Sequence, residues 1–76
     1  MDRAVIQEHL ELANRHVADG EKHVARQKQI LAELEREGHD PEQARELLAV
    51  FEETLAIYVA DRERLERELA SAGGPY

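Results

Sequence analysis

The sequence has one internal cluster of helix breakers, Gly38-His39-Asp40-Pro41, set between two long stretches without any strong stop. Gly38 suits the left-handed position that closes a helix. Asp40 suits an N-cap, and Pro41 the first helical position, whose N–H would be unbonded in any case. Gln43 stands three after Asp40, the spacing of a capping box. The pattern predicts helix 1 over about residues 2–37, a turn at 38–40 and helix 2 over about 41–71. Gly73-Gly74-Pro75-Tyr76 then reads as a flexible tail, and residues 1–72 as a single helical hairpin.

Both stretches carry apolar residues at alternating steps of four and three, the repeat of helices packed side by side. In helix 1 the seam is Ile6, Leu10, Ala13, Val17, Gly20, Val24, Gln27, Leu31 and Leu34. In helix 2 it is Ala44, Leu48, Phe51, Leu55, Tyr58, Arg62, Leu65, Leu69 and Ala72. Folding at the turn pairs residues whose numbers sum to about 79. Small then faces large: Gly20 meets Tyr58, Ala13 meets Leu65, and Gln27 meets Phe51, while Leu10 meets Leu69. Two flanking ion pairs fit this register, Glu35 with Arg45 and Lys28 with Glu52. Val17 opposite Arg62 is the poor match, relieved if the guanidinium reaches outward. Gly20 inside a helix costs about 1 kcal/mol relative to Ala, yet the pattern crosses it without a change of phase. Helices of roughly 30 residues give a rod about 45 Å long.

The fold class is therefore all-α, a two-helix antiparallel hairpin. A chain of 76 residues folded this way encloses a thin core and calls for a staple. It has no cysteine, so disulfides, thiolate metal sites and thiol catalysis are excluded. Helix 2 carries a second apolar row, Leu47, Val50, Thr54 and Ile57, beside Phe51 and Tyr58. An apolar face too wide for one partner helix implies another helix. The expected outcome is a homodimer of hairpins forming a four-helix bundle. Its interface would use Leu47, Val50, Thr54, Ile57, Tyr58, His16 and His23.

His9, His16 and His23 recur every seven residues along helix 1, on the side of that second row. Residues seven apart are about 10.5 Å apart along the axis. One zinc ion, with Zn–N bonds of about 2.0–2.1 Å, cannot take two of them. Neither HExxH nor Glu-x-x-His is present. A metal would need ligands from several helices, with His16, Asp61 and His23 the candidates. The plainer reading has the histidines filling a half-buried flank and bonding to Thr54, Asp61 or Glu68. A third reading makes them a pH response at the dimer contact.

A net charge of −7 argues against nucleic acid and anionic membranes as partners. The longest apolar run, residues 55–60, is too short to span a bilayer, and the N-terminus lacks a signal-peptide core, so a cytoplasmic protein is expected. No phosphate loop or nucleophile constellation is present, the only serine is Ser71, and Glu8, Glu11, Glu53 and Glu63 read as solvated faces. No enzyme and no cofactor are expected. The expected role is a structural or protein-interaction module whose partner is itself, with another protein as a further candidate. The alternative is a metal- or cofactor-binding bundle built on the column His9, His16 and His23.

The stretches HVADGEKHVARQKQILAELEREGHD and ARELLAVFEETLAIYVADRERLERELA resemble small uncharacterised proteobacterial helical-hairpin proteins of unknown function. The likeness covers residues 16–70, with the GHD turn and the FEET and VADR segments its most distinctive parts. It implies a natural protein that stands alone, and it brings no activity or binding residue with it. In outline the hairpin also resembles the Rop-type RNA-binding dimers, from whose function its acidic surface departs.

Overall fold

The structure, a computed structural model, describes residues 2–72. It consists of α1, Arg3–Glu37, and α2, Glu42–Ala72, packed antiparallel along their whole length. The tail expected at 73–76 lies outside the described residues. Both helices begin one residue later than the sequence pattern implies, and α2 ends one residue later. The hairpin measures 63 × 14 × 14 Å. It exceeds the expected rod because α1 alone has 35 residues, or about 52 Å at 1.5 Å per residue.

The reversal is built as its residues require. Gly38 has φ 77° and ψ 17°. Its N–H donates to the Glu35 carbonyl at 3.3 Å, and the His39 N–H donates to the Leu34 carbonyl at 2.9 Å. These two bonds form a Schellman closure, satisfying carbonyls the helix end would orphan. Two residues later Asp40 Oδ1 accepts from the Glu42 N–H at 3.1 Å, and the Pro41 carbonyl accepts from the Arg45 N–H at 2.9 Å. One helix is therefore closed and the next capped within four residues. The expected capping box does not form among the described residues: Asp40 bonds the Glu42 N–H rather than that of Gln43, and Gln43 makes no return bond.

The predicted seam is the observed core. Ile6, Ala13, Val17, Gly20, Val24 and Gln27 of α1 are buried, as are Ala44 and Leu65 of α2. Most other seam positions are half-buried, and Ala72, at the open end, is exposed. Ile6, Ala13 and Leu65 form one cluster, with Leu10 and Leu69 packed against it. Gln27 differs from its expected contact with Phe51. It is 5 % exposed, and its Nε2 donates to the Ala44 carbonyl at 3.1 Å. A buried amide needs such a partner, and this one ties the middle of α1 to the first turns of α2. Of the two flanking pairs, Arg45–Glu35 forms at 3.1 Å. Lys28 and Glu52 are not within ion-pair distance, and their exposed side chains gain little from pairing.

The turn yields a prediction. A Cβ at Gly38 would meet nothing within 4 Å, so Gly38→Ala tests backbone strain alone. An L-residue held at positive φ costs about 1 kcal/mol. Urea unfolding followed by circular dichroism at fixed protein concentration should show that loss with unchanged helicity. An unchanged midpoint would mean that the left-handed turn does not constrain the hairpin.

Candidate functional site

Among the described residues four large apolar side chains are exposed: Leu12, Leu47, Val50 and Ile57, between 43 and 67 % accessible. All four lie on one broad face of the hairpin. In α2, Leu47, Val50, Thr54 and Ile57 follow one another at steps of three and four, which keeps them on one side of a helix. In α1, Leu12 stands three after His9 and four before His16, so it shares their side. The hollows of the surface join the two helices across this face. One is lined by His9, Leu12 and His16 of α1 with Asp61 and Arg64 of α2. The other is lined by His16, Asp19, Gly20 and His23 with Val50, Phe51, Thr54 and Tyr58.

The second hollow, about 280 Å³, sits near the middle of the rod. At its floor Gly20 lets the two helices approach closely. A Cβ there would stand 3.1 Å from Leu55 Cδ1 and 3.6 Å from Tyr58 Cδ2. Gly20 thus faces Tyr58 as the register implied, and faces Leu55 more closely still. The rim is aromatic. The His16 ring lies 5.0 Å from Tyr58, tilted by 32°, and the His23 ring lies 5.7 Å from Phe51, tilted by 34°. Five of the seven residues expected at an interface, His16, His23, Val50, Thr54 and Tyr58, line this hollow. The other two, Leu47 and Ile57, are exposed beside it.

The histidines do not bond as expected. Neither Thr54, Asp61 nor Glu68 accepts a hydrogen bond from them among the described residues. The carboxylates are taken by a neighbour on their own helix. Arg64 donates to Asp61 at 2.7 Å and to Glu68 at 2.9 Å. The Asp61 hydrogen bond, then the Glu68 charge, hold the Arg64 guanidinium above its ordinary value. Pairs three and four apart need no cross-hairpin reach, so they form first. The His16 and His23 rings lie instead against Tyr58 and Phe51.

This bears on metal chemistry. The candidates His16, Asp61 and His23 do not converge, and among the described residues no group of three or more His, Cys, Asp or Glu is placed to hold an ion. A larger and more open groove, about 630 Å³, lies at the free end of the hairpin between Ile6 and Arg64, Arg67, Glu68, Ser71 and Ala72. Sequence reasoning missed Leu12 and the Asp61–Arg64–Glu68 chain. Leu12 was legible, since its steps of three and four from the histidines continue the apolar face onto α1. No described helix is long and apolar enough to cross a membrane. Comparison with protein-family models, curated proteins and solved structures finds no match to this chain.

Gly20→Ala measures how tight the floor of the hollow is. The added methyl meets the flexible end of half-buried Leu55, while the helix gains about 1 kcal/mol of propensity. Thermal melts should place the variant within about 1 kcal/mol of the parent. A clearly larger loss would show that Leu55 cannot move aside.

Proposed function

We propose that this chain is a non-enzymatic, cytoplasmic protein-interaction module that works as a homodimeric four-helix bundle. The observation that carries the reading is the gathering of the exposed large apolar side chains of the described residues onto one face. Scattered surface apolars are ordinary, whereas a contiguous patch marks a contact. The dimer interface comprises Leu47, Val50, Thr54, Ile57, Tyr58, His16 and His23, with Leu12 extending it. No catalytic residue and no cofactor enter this reading, and nucleic acid and membrane are not its partners. The bundle's outer surface is where another protein would dock.

Sedimentation velocity tests the proposal directly. The parent chain should run as a dimer at micromolar concentration. Ile57→Glu places a charge in the middle of the interface and should weaken association by about a hundredfold or more, since a buried unpaired charge costs several kcal/mol. Glu53→Lys, on an exposed position outside the apolar row, should leave the dimer intact. A parent that sediments as a monomer, or equal effects of both substitutions, would sink the proposal.

A further inference from the structure

We draw no further inference here: the strongest candidate, the hollow between α1 and α2 lined by His16, Asp19, His23, Phe51, Thr54 and Tyr58, belongs to the face already described, the space beside its Gly20 floor is taken up by Leu55 and Tyr58, and nothing in the structure shows what covers it.

Discussion

Two helices packed along one line can bury one stripe each and no more, and this limit governs the whole molecule. The buried apolar side chains are Ile6, Ala13, Val17, Val24, Ala44 and Leu65, two of them alanines. Among the described residues no large side chain is fully enclosed. Phe51, Leu55, Tyr58 and Leu69 of the α2 seam stay half-buried. Chains of this size usually draw extra stability from disulfides, metal or association. The first is chemically absent, and no three-ligand cluster supports the second among the described residues. The exposed aliphatics of the broad face are the resource the hairpin has left.

A seam this thin could slide, since a shift by one heptad exchanges one set of aliphatics for another. Three polar features resist sliding. The Schellman closure at Gly38 and the Asp40 cap fix where each helix starts relative to the other. Gln27 is the directional one: its amide reaches a single carbonyl, Ala44, from inside the seam. Buried polar groups often specify register at some cost to stability, and Gln27 stands where an aliphatic side chain would pack without preference. Arg45–Glu35 adds a weak exposed clasp near the turn.

The sequence made the turn, the two helices and the seam legible because each depends on a period or on one residue's backbone preference. Gly38 has few other uses in such a place, and an apolar step of four and three leaves one side of a helix. Choices between neighbouring side chains were not legible in the same way. His16 could reach Asp61 or Tyr58, and Gln27 could face Phe51 or turn toward Ala44. Such choices depend on rotamers and on local competitors. Arg64 wins Asp61 and Glu68 because it stands three and four residues away on the same helix. The second apolar row on α2 was readable as aliphatics in sequence order. Its continuation through Leu12 was readable from the steps of three and four to His9 and His16, which count as polar by type yet border this surface.

The distribution of charge explains why only one face calls for a partner. Asp19, Arg26, Glu33, Glu37, Asp61, Arg64 and Glu68 lie on the helix sides that form the broad apolar face, two cations against five anions. They sum to −3 of the −7 carried by the whole chain. Most of the excess acid therefore falls elsewhere and does not oppose a second copy at close range. The opposite side repeats alanine every seven residues, at Ala18, Ala25 and Ala32 on α1 and at Ala49 and Ala56 on α2, all exposed. An alanine methyl buries little area, so that side offers small hydrophobic gain against the repulsion of its acids. A second layer on the alanine side would gain little, whereas one on the Leu12–Ile57 side would bury long aliphatics around a ready-made hollow.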